Sequence, residues 1–308
     1  MDKRLKLKAP FPYFGGKSKI AGRVWECLGA VDRYIEPFFG SGAVLLNRPD
    51  WTEGKCEIVN DKDAMIANAW RAIKYMPGDV LAMSSMWPVN HADLLARRKW
   101  ICDNRESIGK TVMSDPEFFD ARAASWWIYV MCLSIGGFTA NKKSIPQLHH
   151  QTGAMGMSED DARAMMDALS ERMRNVRVVC GDWSQVLGGN WQDDGATCGV
   201  FLDPPYSTDL GREKECYAVD DMGGAISSKV RDWCAKKGSR PNMRIVLCGY
   251  DSEHDALLEH GWRSEAWTAN GCWPTRADDE TVTRSMVNRK RERLWISPHC
   301  DDRQSTLF

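Results

Sequence analysis

The 308-residue chain has no apolar run near the roughly 20 residues that cross a bilayer. Its first eight residues, Met1 to Lys8, include basic side chains but no apolar stretch behind them, so they do not read as a secretory signal. A cytoplasmic protein with no membrane partner is expected. Neither sign of charge dominates: 41 Lys and Arg against 42 Asp and Glu leave a net charge of −1. Bulk charge therefore announces no polyanionic partner, although a local basic face is enough to contact phosphates. Metal-site spacing is missing too. Eleven cysteines run from Cys27 to Cys300 without one C-x-x-C pair, and His149-His150 is the one adjacent pair among six histidines. The odd, unpatterned count suits free thiols in a reducing compartment, and no metal is expected. Internal repeats and low-complexity tracts are absent.

What is present is alternation. Short apolar runs at Tyr34–Glu36, Cys56–Asp61, Val176–Cys180, Gly199–Leu202 and Arg244–Cys248 end in or next to Asp, Glu or Gly, with helical patterns between them. That suits a parallel α/β sheet whose ligand site lies at the strands' carboxyl ends. From about Ala67 to Met157 the pattern turns helical, with Asp120 to Ile135 reading as a buried helix and Gly136 to Lys143 as a turn or hairpin. Ser158 opens a capping-box-like helix start, and Ala162, Met165, Leu169 and Met173 follow helical spacing as core residues. Glu253 to His260 reads as a further helix.

Three segments carry candidate chemistry. Asp203-Pro204-Pro205-Tyr206 directly follows a strand. An exocyclic amino nitrogen is a poor nucleophile because its lone pair is delocalised into the ring. A carboxylate at Asp203 and a neighbouring backbone carbonyl can accept its two N–H bonds and favour a pyramidal nitrogen. Consecutive prolines, which lack an amide donor and have fixed φ, hold such a carbonyl outward, and Tyr206 offers a face for an extruded base. A proline turn capped by Asp fits the same four residues. Gly40 and Gly42, within Glu36-Pro37-Phe38-Phe39-Gly40-Ser41-Gly42-Ala43, allow close approach of a ligand ahead of a helix start. Asp61 follows Gly42 by 19 positions, where an acid can bind ribose hydroxyls or simply cap a strand end. This spacing suits a nucleoside-containing cofactor without separating a nicotinamide dinucleotide from S-adenosylmethionine, although Leu45 stands where a G-x-G-x-x-G loop has its third glycine. In Pro12-Tyr13-Phe14-Gly15-Gly16-Lys17, Lys17 can pair with a cofactor carboxylate and Tyr13 can pack on its rings; an exposed turn lysine is the plainer alternative.

The order of these segments, with Asp182 between them, resembles the D12 class of DNA N6-adenine methyltransferases, the Dam-like family. The stretch from Arg291 to Pro298 also resembles the final strand of phage-borne members. The resemblance implies a Rossmann-like S-adenosylmethionine-dependent methyltransferase fold with an inserted, mainly helical target-recognition domain. It divides the chain into catalytic parts at 1–67 and 158–308 and an insertion at 68–157. It implies that Glu36, Phe38, Gly40 and Gly42 line the S-adenosyl-L-methionine site, that Asp61 binds ribose, and that Asp182 contacts the cofactor's adenine. Catalysis falls to Asp203, Pro204, Pro205 and Tyr206, acting on a flipped adenine in double-stranded DNA. A monomer is expected.

The insertion departs from members that recognise GATC: the Asn-Arg pair before their hairpin is missing in Cys132 to Lys142. GATC specificity is therefore not assumed, while Asn141, Lys142 and Lys143 are candidates for DNA contact or a solvated basic turn. N4-cytosine methylation is the nearest rival; such enzymes more often carry Ser where Asp203 stands. RNA or glutamine methylation typically goes with Asn there. A fold kept for DNA binding without turnover is a rival from another class, opposed by the intact tetrapeptide. A cytosine C5 mechanism uses a Pro-Cys nucleophile, and none of the 13 prolines precedes a cysteine.

Overall fold

A computed structural model describes residues 6–13, 15–49, 51, 55–85, 89–134, 156–189, 194–206, 225–267 and 291–301. A seven-stranded sheet runs β3-β2-β1-β4-β5-β7-β6, where β1 is Arg33–Glu36, β2 Cys56–Asp61, β3 Val176–Cys180, β4 Cys198–Leu202, β5 Met243–Tyr250, β6 Arg263–Ala266 and β7 Glu292–Ile296. The first five strands pair in parallel, and β7 runs antiparallel to both neighbours, β5 and β6. β4 is buried at all five positions, as expected of a strand covered on both faces. The order reverses at β1, whose Ile35 pairs with Ile58 of β2 on one side and Val200 of β4 on the other. In an open α/β sheet, that reversal creates the crevice in which ligands bind.

The helices fill both faces. α1 (Ala21–Leu28), α2 (Ala43–Leu46), α3 (Ala64–Tyr75), α4 (Pro77–Ser84), α5 (His91–Ser114), α6 (Ala121–Leu133) and α7 (Glu159–Met173) contribute to one large core, with Val24, Leu45, Trp70, Ile128 and Met173 against Val59 and Phe201. α8 (Trp183–Leu187) and α9 (Ala225–Lys237) close the other face over Ile35, Val200, Leu247 and Trp295. Their starts are set by side chains. Asp63, Asn90, Asp120, Ser158 and Asp182 each accept an amide hydrogen bond from the first turn that follows, satisfying donors with no partner inside the helix.

The expected parallel strands all form, and α6 and α7 occupy the helices expected there. One reading changes, and one strand is added. The helix expected over Glu253 to His260 is a 3-10 helix at Asp255–His260. β6, with the polar sequence RSEA and alternating exposure, has no apolar run to announce it. The division expected at residue 67 falls inside α3, where Arg71 donates to the carbonyl of Val178 on β3 and to those of Val112, Asp115 and Phe118. Among the described residues no helix is long and apolar enough to cross a membrane, and no three His, Cys, Asp or Glu side chains gather to hold a metal ion.

Candidate active site

The carboxyl ends of β1 to β4 open on a cleft of about 740 Å³, counted to its open mouth. Phe38 follows β1, Asp61 ends β2, Asp182 follows β3, and Asp203 and Pro205 follow β4; all line the cleft, as do Tyr13 and Gly40. Residues as far apart in sequence as Phe38 and Pro205 thus meet because parallel strands carry their ends to one edge.

The Gly40–Gly42 turn has a steric cause. Gly40 (φ 48°) and Gly42 (φ 63°) occupy the left-handed region. A Cβ on Gly40 would lie 2.5 Å from the Tyr13 ring, and one on Gly42 would lie 2.6 Å from the Phe39 ring. The turn points the Gly40 amide at Asp61 Oδ2, 2.8 Å away, while the Asp63 amide meets Oδ1 at 2.8 Å. Desolvation pushes the Asp61 carboxyl up to about 7. The two amides and access from the cleft favour the anion.

Two expected cofactor residues lie behind this wall. Gly42 caps α2, and its role is to let the turn close. Glu36 is 2% exposed and accepts from Tyr34 Oη at 2.8 Å; burial raises its carboxyl to about 8. Neither is among the residues lining the cleft.

Lys17 also departs from expectation. Its ammonium is 2.7 Å from Asp203 Oδ2 and 2.7 Å from the Gly15 carbonyl oxygen, to which it donates. A buried cation requires a counter-charge, and here Asp203 supplies it. The Lys17 ammonium is thus held beside the Asp203 carboxylate in this structure. Tyr206 is likewise buried: its ring packs edge-on against Tyr250, with centroids 4.7 Å apart, and its hydroxyl reaches Asp203 Oδ1 at 3.1 Å and Glu292 Oε2 at 2.8 Å. A buried phenol needs such partners, so this side chain supports Asp203 instead of presenting an open stacking face. Pro204 is buried and Pro205 half-buried beside it.

The structure adds residues that sequence reasoning passed over. Trp183 stacks beside Phe38, with centroids 6.3 Å apart and planes 25° from parallel, giving the cleft an aromatic wall. Asn60 donates to the carbonyls of Pro37 and Gly181 at 3.0 and 3.1 Å, tying the ends of β1 and β3 together. Its buried Oδ1 has no hydrogen-bond partner among the described residues. Asn60 and Trp183 adjoin Asp61 and Asp182, so their neighbourhood was a signal in the sequence. Glu292 gave none. Asn141, Lys142 and Lys143 lie outside the described residues.

The family model for D12 class N6 adenine-specific DNA methyltransferases matches residues 13–262, which contain every residue lining this cleft. The chain belongs to this family. This D12 methyltransferase acts on adenine N6 in DNA, and its sheet order and crevice are those of a Rossmann-like methyltransferase fold. It is similar to the type II methyltransferase M.MjaIII of Methanocaldococcus jannaschii, with 24% identity over 216 residues, 66% of this chain and 70% of that protein. It is also similar to the DNA adenine methylase of two Vibrio cholerae serotype O1 strains, with 19% identity over 291 residues, 93% of this chain and 94% of each of those proteins.

Proposed function

We propose that the D12 methyltransferase takes its methyl group from S-adenosyl-L-methionine held in the cleft and delivers it to a flipped adenine at Asp203. The observation that carries this reading is the gathering of functional groups in one crevice, which an aromatic wall, Asp61, Asp182 and Asp203 line together. Phe38 and Trp183 offer apolar faces to an adenine ring, beside Asp182 as an acceptor for its amino group. Asp61, gripped by two amides, is placed for ribose hydroxyls. The orphaned Oδ1 of Asn60 is a buried acceptor in need of a donor, which a nucleoside or an ammonium group provides. The residues present fit the cofactor.

When bound, S-adenosylmethionine supplies an electrophilic methyl on a good sulfonium leaving group. The protein's own part is orientation and desolvation. Asp203 and the Pro204 carbonyl would accept the two hydrogen bonds of the target amino group, freeing its lone pair for attack, and the N–H proton displaced by methylation would be lost to solvent. Lys17 balances the charge of Asp203, which is 19% exposed and still open to the cleft. Direct transfer needs no covalent enzyme intermediate. The segment 68–157 serves as the target-recognition insertion between catalytic parts 1–67 and 158–308, with Asn141, Lys142 and Lys143 contacting DNA. Extrusion of the base is expected because Asp203 lines a cleft and is only 19% exposed, where a stacked base would not reach.

The test is transfer of labelled methyl groups from S-adenosylmethionine to unmethylated genomic DNA, followed by identification of the modified nucleoside. N6-methyladenine is expected. Label in N4-methylcytosine, or only in RNA or protein, would reject the assignment.

A further inference from the structure

Tyr206 has one hydroxyl proton and two carboxylate neighbours, Asp203 Oδ1 at 3.1 Å and Glu292 Oε2 at 2.8 Å. One proton cannot be donated to both. Were both acids ionised, one carboxylate oxygen would face the phenol oxygen with no hydrogen between them. A proton on Glu292 resolves the conflict: Glu292 donates to Tyr206 Oη, and Tyr206 donates to Asp203. The surroundings agree. Glu292 is 8% exposed, and burial, the largest influence, raises its affinity for a proton; nearby Asp203 and Glu253 act in the same direction, against Lys17 and the Tyr206 hydrogen bond. Lys17 meanwhile takes the other oxygen of Asp203 at 2.7 Å.

The backbone fixes this acid firmly. Glu292 opens β7 and stands in register with Tyr250 of β5, whose ring packs on Tyr206; its own carbonyl accepts from the Trp267 amide at 3.1 Å. We propose that Glu292 is a positioning residue for methyl transfer, aiming the Tyr206 hydroxyl at Oδ1 of Asp203 and so holding the carboxylate that receives the target amino group. The assignment rests on the reading of Asp203 as the catalytic carboxylate. Glu292 itself is not among the residues lining the cleft.

The experiment compares steady-state methylation of unmethylated genomic DNA by the full chain carrying Glu292→Ala, Glu292→Gln, Tyr206→Phe and the Tyr206→Phe/Glu292→Ala pair. Glu292→Ala should lower kcat about tenfold or more while KM for S-adenosylmethionine stays within about twofold. Glu292→Gln, whose side-chain N–H replaces the acid's O–H as donor, should remain within about threefold of the parent. The double variant should be no worse than Tyr206→Phe alone, because the two groups act as one unit. If Glu292→Ala fails to fold, Glu292→Met takes its place, with similar reach and no comparable hydrogen-bonding group. A parent-like kcat in Glu292→Ala, a loss confined to KM, a Gln variant as poor as Ala, or additive losses would each overturn the role. Asp203→Ala run in parallel separates the two levels. If it turns over, the catalytic reading fails; if it is dead while Glu292 variants run normally, only the positioning role fails.

Discussion

At Asp61 two backbone amides, from Gly40 and Asp63, point at one carboxylate that desolvation lifts to about 7. Ribose hydroxyls would donate to its anion, so binding of S-adenosylmethionine favours the deprotonated form. Below pH 7 the proton must first leave, and affinity should rise by up to about tenfold per pH unit toward neutrality before levelling above it. Calorimetric titration from about pH 5.5 to 8.5 checks this, and Asp61→Asn should bind more weakly with a flatter profile. An unchanged profile in that variant would remove Asp61 from the cofactor site. The place of Asp61 at the cleft was legible in the sequence because it ends a strand of a parallel sheet shortly after a glycine turn. The roles of Lys17 and Tyr206 were not, since each depends on which carboxylate the folded chain brings near. Glu36 misled for a related reason: adjacency to the glycine turn says nothing about which side of the strand a carboxyl takes, and here it is buried against Tyr34.

At the scale of elements, one buried acid links α2 and the residue Arg48 beyond it to the sheet and to α7. Glu57 on β2 accepts from Arg48 at 2.9 Å and from Arg172 at 2.6 and 2.8 Å, while Arg172 also donates to the Leu45 carbonyl in α2. Removing the shared acid leaves two buried guanidinium groups without their counter-charge. Glu57→Ala should therefore lose about 3–5 kcal/mol of unfolding free energy, measured by urea denaturation. A loss under about 1 kcal/mol would show that water takes over the acid's part. Elements with a single clear period or cap were readable in advance: the apolar strands β1 to β5, and α7 behind Ser158. The antiparallel pair of β6 with β7 escaped in part, because a short polar edge strand has neither an apolar run nor alternating hydrophobes.

For the whole molecule, the sheet order β3-β2-β1-β4-β5-β7-β6 turns scattered motifs into one site. The order of the segments along the sequence was enough to read the family and the crevice, since parallel strands deliver their ends to a single edge. It could not supply Glu292, 89 positions beyond Asp203: the final strand was readable, but not which of its side chains meets Tyr206. The central claim is that Asp203, at the reversal of the sheet, is where the methyl group is transferred. Its most direct test is Asp203→Ala assayed twice: for S-adenosylmethionine affinity by calorimetry, and for single-turnover methylation of genomic DNA. The account predicts donor binding within about threefold of the parent and transfer slowed by at least about 10³-fold. Transfer at near-parental rates in the folded variant would contradict it.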